Sequence, residues 1–166
     1  MPTIDVSAEI DIDAAPADIA GVMFDPQREP EWISVITGVE LLDPELAPGA
    51  RVRRTGSVLG RSVGWTTEVE RVHFPHLLVL NVVDAPFRAS TRFDVQRSGT
   101  GSRVRVRGVG EADKLPVPAA LVAGPLKAAI AAGLARLKTI VESAGRAQAG
   151  SPAGSASPPT PWHENE

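Results

Sequence analysis

The sequence has no cysteine and no tyrosine. The first absence excludes disulfides, thiol nucleophiles and cysteine-bound zinc or iron–sulfur centres. The second, with only 4% aromatic residues, argues against the stacking platforms that hold single-stranded nucleic acid. Lysine is scarce, at 3 against 14 arginines, a bias that GC-rich coding produces by itself. A net charge of −3 speaks against non-specific nucleic-acid binding. No uninterrupted apolar run approaches the ~18 residues that mark a membrane span. The opening MPTIDVSAEIDID alternates with acids and has no basic n-region, so it does not read as a secretory signal. These features predict a cytoplasmic protein without a membrane span. Phosphate-loop, dinucleotide and nucleophile-elbow motifs are missing. The only histidines are His73, His76 and His163, and Pro75 between the first two makes them an awkward ligand pair, so no metal site and no cofactor are expected.

What is present fits one globular domain with a tail. The chain has 166 residues, 43% apolar and 22% charged, enough to bury a sizeable core. From Gly145 to Glu166 glycine, alanine, serine and proline dominate and no apolar period survives. This segment is expected to be a disordered tail, with a domain over 1–144. Trp162 beside His163 leaves open a protein partner reached through the tail.

Residues 3–13 alternate strictly. Ile4, Val6, Ala8, Ile10 and Ile12 face one way and acids or serine the other, the pattern of a half-buried antiparallel strand. Pro16 marks the start of a short helix bearing Ile19, Ala20, Val22 and Met23. A second short helix is predicted over Arg28–Ile36, with Trp32, Ile33 and Ile36 apolar. Strands follow at 38–43, 50–59, 62–73, 77–83, 87–97 and 102–112, separated by Gly, Pro and Asp. Leu126, Ile130, Leu134, Leu137 and Val141 then recur at helical spacing. Pro125 is expected at the first position of that helix or at a kink near its start, with Leu121 and Val122 in a preceding turn. The order is strand, two short helices, six strands and one long helix, which packs most simply as a curved antiparallel sheet gripping the helix.

Hairpin register sorts the faces. A two-residue turn at Gly60-Arg61 pairs Val52 with Val69, Arg54 with Thr67, Gly56 with Trp65 and Val58 with Val63, all on the apolar inner face. Gly56 leaves room for the Trp65 ring. A loop at Ser98–Gly101 pairs Phe93 with Val106, Val95 with Val104 and Thr91 with Gly108 inward. Outside, Asp94 then meets Arg105, Arg88 meets Glu111, and Arg92 meets Arg107. The arginine run 103, 105, 107 thus reads as a solvated sheet face with cross-strand ion pairs. Asp5, Glu9, Asp11, Glu68, Glu70 and Asp94 fall outside by parity, which argues against carboxylate-driven catalysis. Asn81 is expected outward, and His73, His76 and Asp84 near the strand ends. Inside, Arg54 and Thr67 are the polar residues among Ile, Val, Phe and Trp, while Gly56, Gly64, Gly108 and Gly110 leave space. Such an interior can enclose an apolar pocket.

This order resembles the helix-grip fold of the START-like (SRPBCC, Bet v 1-like) superfamily, and local features resemble its bacterial polyketide cyclase/dehydrase branch. They are Pro16-Ala-Asp at the first helix, Glu31-Trp32 followed by Val39 to Leu42, and Pro48-Gly-Ala-Arg-Val52. Trp65 to Val72 with Pro75 and Leu78, Gly99 to Val106, and Leu126 to Ile140 continue the series. The resemblance implies an α+β fold: a curved seven-stranded antiparallel sheet around a long C-terminal helix, with two short helices after the first strand. It is specific for fold and poorly specific for function.

The expected function is therefore binding of a hydrophobic or amphipathic small molecule, lipid- or polyketide-like, between sheet and helix. Trp32, Trp65, Phe93, Val106, Leu126, Ile130 and Leu134 would line the cavity. Arg54 and Thr67 would orient a polar end, unless Arg54 pairs with an acid of the short helices such as Glu31. The resemblance adds two alternatives: a cofactor-independent cyclase or dehydratase in which Arg54 stabilises enolate charge, and a protein-interaction or toxin–antitoxin-type regulator. No catalytic residue is assigned.

Overall fold

The computed structural model describes residues 3–58, 60–85, 88–111 and 118–149. Its elements are β1 (Thr3–Ile12), α1 (Pro16–Met23), a 3₁₀ turn (Pro26–Arg28), α2 (Glu29–Trp32), β2 (Ile36–Leu41), β3 (Arg51–Val58), β4 (Arg61–His73), β5 (Leu77–Val82), β6 (Ala89–Ser98), β7 (Gly101–Glu111) and α3 (Ala119–Ala149). The strands form one seven-stranded antiparallel sheet in the order β1-β7-β6-β5-β4-β3-β2. The first strand thus pairs with the last, and the helices lie across one face. The expected helix-grip architecture is what the chain adopts.

α3 is held to the sheet by one stripe. Leu134, Leu137 and Val141 are buried with Ile12, Ile19, Met23, Val95 and Val104. Each such side chain contributes roughly 1.5–3 kcal/mol by leaving water. The helix approaches α2 closely at Gly133, where an added Cβ would lie 3.1 Å from the Trp32 carbonyl oxygen. The other end of α3 is looser, with Leu121 and Leu126 exposed.

Several boundaries differ from expectation. The helix begins at Ala119, so Leu121 and Val122 are helical and Pro125 lies inside it. It runs on to Ala149, past the expected boundary at 144. The rest of the expected tail, with Trp162 and His163, lies outside the described residues. Ala119–Gln148 is also long and apolar enough to cross a membrane by length and composition alone. The uninterrupted-run criterion passed over it because Lys127, Arg136 and Lys138 break the run. The second short helix is a 3₁₀ turn and one α-turn rather than a helix to Ile36. Ile33 leaves helical geometry with φ −108° and ψ 99°, and Ile36 already begins β2.

The β3–β4 hairpin is shifted by two residues from the expected register. Val58 pairs with Arg61, Gly56 with Val63, Arg54 with Trp65 and Val52 with Thr67. Gly60, at φ +76°, therefore sits inside the turn rather than opening it together with Arg61. A slip of two keeps every side chain on its face, so the inward set survives. The Trp65 ring reaches Gly56 diagonally: a Cβ there would lie 3.0 Å from the ring. Val63 is exposed near the hairpin tip. In the β6–β7 hairpin five of the six predicted pairs stand in the ladder, which closes at Ser98–Gly101, and the sixth is met by the Glu111 N–H bonding the Arg88 carbonyl at 3.0 Å. Its outer ion pairs differ, however. Arg92 pairs with Asp94 on its own strand, while Arg103 and Arg107 reach Asp11 and Asp5 on β1. Arg105, the residue opposite Asp94, reaches instead toward the Ser7 hydroxyl of β1.

Candidate ligand-binding cavity

Between the sheet and α3 lies a cavity of about 390 Å³. Of the nine residues expected to form it, Trp32, Arg54, Trp65, Thr67, Phe93, Val106, Leu126 and Ile130 line its wall. Leu134 does not. It is 1% exposed and packs in the core one helical turn beyond Ile130, where α3 is pressed onto α1 and β1. The cavity exists because the inner face is undersized on this side. A Cβ at Gly108 would meet only the Val6 side chain, at 3.8 Å, and Gly110 and Ala89 are also small lining residues.

Most of the wall is apolar. Trp32 is set by an edge-to-face contact with Phe93, ring centroids 6.1 Å apart, and Leu80, Ile33, Val122 and Ala129 are among the further apolar lining residues. Periodicity does not single out Leu80, Ile33 or Ala129, because it does not separate wall from core, and Val122 was expected in a turn before the helix. The indole Nε1 of Trp32 is buried and has no hydrogen-bond partner among the described residues.

The polar centre of the wall is a buried ion pair. Arg54 projects from β3, and its guanidinium grips Glu29 of α2 with one edge of the fork: Nε donates to Oε2 at 2.7 Å and Nη2 to Oε1 at 3.0 Å. Nη1 donates to the Thr67 hydroxyl on β4. Both charged side chains are 4% exposed. The sequence suggested Glu31 as the acid, but Glu31 faces water and binds Arg28 three residues before it. Burial pushes the Glu29 carboxyl above its ordinary value. The Arg54 charge and hydrogen bonds pull it back without cancelling that effect, and Asp25 raises it further. Parity removes the strand acids from the site, but it says nothing about a carboxylate delivered by a helix. The cavity therefore does contain one fully buried acid.

Other polar residues stand apart. Asp84 accepts the Thr66 backbone N–H at 2.7 Å and lies 3.6 Å from Arg53. The His76 ring bonds the Val95 carbonyl, and Asn81 donates outward to Glu70. None of these lines the cavity, and neither does His73. No group of metal-ligating side chains occurs among the described residues.

Residues 3–142 match the family model described as "Polyketide cyclase / dehydrase and lipid transport". Solved structures share the fold. A START superfamily protein from Mycobacterium smegmatis superposes with a TM-score of 0.73 at 20% identity, over 84% of this chain and 98% of that one. TTHA0849 from Thermus thermophilus gives 0.72 at 21%, over 84% and 98%. The di-domain ARO/CYC StfQ from the steffimycin biosynthetic pathway gives 0.72 at 11%, over 87% of this chain and 52% of that one. No curated protein matches.

Proposed function

Because the chain belongs to the polyketide cyclase / dehydrase and lipid transport family of START-like proteins, we propose that it binds a hydrophobic or amphipathic small molecule between the sheet and α3. The observation that carries this reading is the cavity itself. Its size, about 390 Å³, is within the range of small-molecule sites, and its wall combines apolar side chains with a few convergent polar groups. A packed core would have filled that space with side chains. Native mass spectrometry of the full chain, purified gently from its own cells, tests the proposal. A stoichiometric adduct lost on denaturation supports it. A bare chain that also fails to bind a neutral apolar dye such as Nile red defeats it.

A second reading, a cyclase or dehydratase, is favoured by one observation. Glu29 is a buried carboxyl with a raised proton affinity, in contact with a guanidinium at the cavity wall. That is the pairing a general acid–base step at an enolising ketone uses. The apolar wall would fold the substrate and exclude water. If so, Glu29→Gln abolishes conversion of a linear poly-β-ketone while leaving its binding intact. Unchanged conversion removes the role.

A further inference from the structure

We infer that the cavity selects uncharged ligands, recognised through a carbonyl or hydroxyl, and rejects carboxylates. The inference rests on the binding reading above and adds the charge of what is bound. Arg54 is the only cation in the cavity wall among the described residues. An apolar pocket with a single arginine ordinarily suggests an anionic ligand head, gripped by the fork. Here the Nε–Nη2 edge already holds the two Glu29 oxygens, at 2.7 and 3.0 Å, and one Nη1 N–H holds Thr67. The two N–H groups left over belong to a guanidinium whose charge Glu29 already balances. A ligand carboxylate would either displace Glu29 or crowd a second anion against a pair whose side chains are both 4% exposed.

The electrostatic sum points the same way. The charged residues of the wall are Glu29, Arg54 and Glu111. Arg54 neutralises Glu29, and no second cation stands in the wall among the described residues to balance another anion; Glu111 follows the outward parity of Arg103, Arg105 and Arg107 on β7.

The other unspent donors are neutral. The Trp32 indole N–H is buried without a partner. The Thr91 hydroxyl, half-buried in the wall on the same face as Phe93, makes no side-chain hydrogen bond among the described residues. A carbonyl or hydroxyl oxygen satisfies such donors without bringing a charge into low dielectric.

The test compares naphthalen-2-ylmethanol with 2-naphthoate, which share a skeleton and differ in head group. Titrations use the full chain at about pH 8, followed by calorimetry. The alcohol should bind at least ~10-fold tighter than the carboxylate. Desolvation alone disfavours a carboxylate in any apolar pocket, so the deciding quantity is how that ratio changes in variants. Glu29→Gln opens one edge of the fork and leaves the wall with an uncompensated cation. The ratio should then collapse toward unity or invert. Thr67→Val, a β-branched replacement suited to its strand, frees Nη1 alone and should lower the ratio at least ~3-fold. It provides the answer if Glu29→Gln does not fold. Equal affinities in the wild type, or a ratio unchanged in the folded variants, overturn the selectivity while leaving the cavity as a binding site. Failure of both probes and of Nile red overturns the binding reading itself.

Discussion

Glu29 and Arg54 form a buried ion pair that the fold maintains at a net cost, so replacing both with apolar residues should stabilise the protein. Each side chain is 4% exposed, and removing such an ion from water costs several kcal/mol even after the protein relaxes. The return is one close Coulomb contact, worth about 4 kcal/mol at an effective dielectric of about 20, and three hydrogen bonds. The raised proton affinity of Glu29, whose largest cause is burial, indicates which side wins: the folded state prefers this carboxyl uncharged more than water does. Glu29→Leu with Arg54→Met should therefore raise stability by about 1–4 kcal/mol, or about 2–4 °C in Tm per kcal/mol for a domain of this size. Glu29→Gln alone should instead destabilise by about 3–5 kcal/mol, because it leaves the Arg54 charge buried without its partner. Urea unfolding monitored by tryptophan fluorescence measures this directly, since Trp32 and Trp65 both line the cavity, and the m-value must stay constant for the midpoints to be compared. A destabilised double variant would refute the reasoning. It would mean that attraction outweighs desolvation here.

The same pair fixes a pH dependence. Glu29 holds its proton more tightly folded than unfolded, so its contribution is complete below the ordinary value of 4.5 and is lost as pH rises through the raised one. Wild-type stability minus that of Glu29→Gln should thus fall as pH rises from the ordinary value, and a rise would reverse the assignment. Asp5, Glu31, Asp84 and Glu142, all held below their ordinary values by hydrogen bonds and cations, act in the opposite sense but cancel in this difference. Leu137→Ala, at a fully buried position, should cost about 2–5 kcal/mol in chemical unfolding without altering Nile red affinity. Leu126→Ala should do the reverse, because Leu126 is 38% exposed yet lines the cavity; equal effects of the two on affinity would dissolve the distinction between core and wall. Gly133→Ala should lower stability by about 1–3 kcal/mol, since its Cβ would press the Trp32 carbonyl. A neutral outcome in thermal unfolding would show that α3 can simply move away.

The architecture was legible because alternation and helical spacing are strong over long elements. β1, β6, β7 and the Leu134–Val141 stripe of α3 each read unambiguously. The two-residue slip at the β3–β4 turn did no harm to the face assignment, since side-chain direction repeats every two residues. The short segments were less legible. Residues 26–36 hold two prolines, a 3₁₀ turn and one α-turn, too little chain for a period to declare itself. The start of α3 is displaced from expectation because Pro125 reads as a boundary. The structure instead places it inside a helix, although it offers no backbone N–H to the carbonyl of Leu121 four residues before. In the cavity, eight of the nine expected residues line the wall because inward strand positions are easy to name. Leu134 lies outside it because wall and core share the same helical stripe, and only tertiary spacing separates them.

The largest omission, Glu29, follows from a rule that periodicity does not contain. An arginine placed on the inner face of an apolar sheet cannot lose its charge, so its position implies a buried acid. The sheet cannot supply that acid, because every strand carboxylate expected from the sequence falls on the opposite face. The short helices can, and α2 offers Glu29 and Glu31. On a helix, residues two apart do not share a face, so only one of the two can turn inward. Arg28 decides between them. It sits three residues before Glu31, at pairing distance on the outer surface, and binds it at 2.8 and 3.0 Å. That leaves Glu29 for Arg54. The same logic makes Glu31 unable to take over: Glu29→Gln should not be rescued by Arg28→Ala, which frees Glu31 but leaves it on the wrong face. Recovery of the wild-type preference for the uncharged naphthalene probe in that double variant would show that α2 can rotate, and that the position of the carboxylate is set by its partner rather than by the helix.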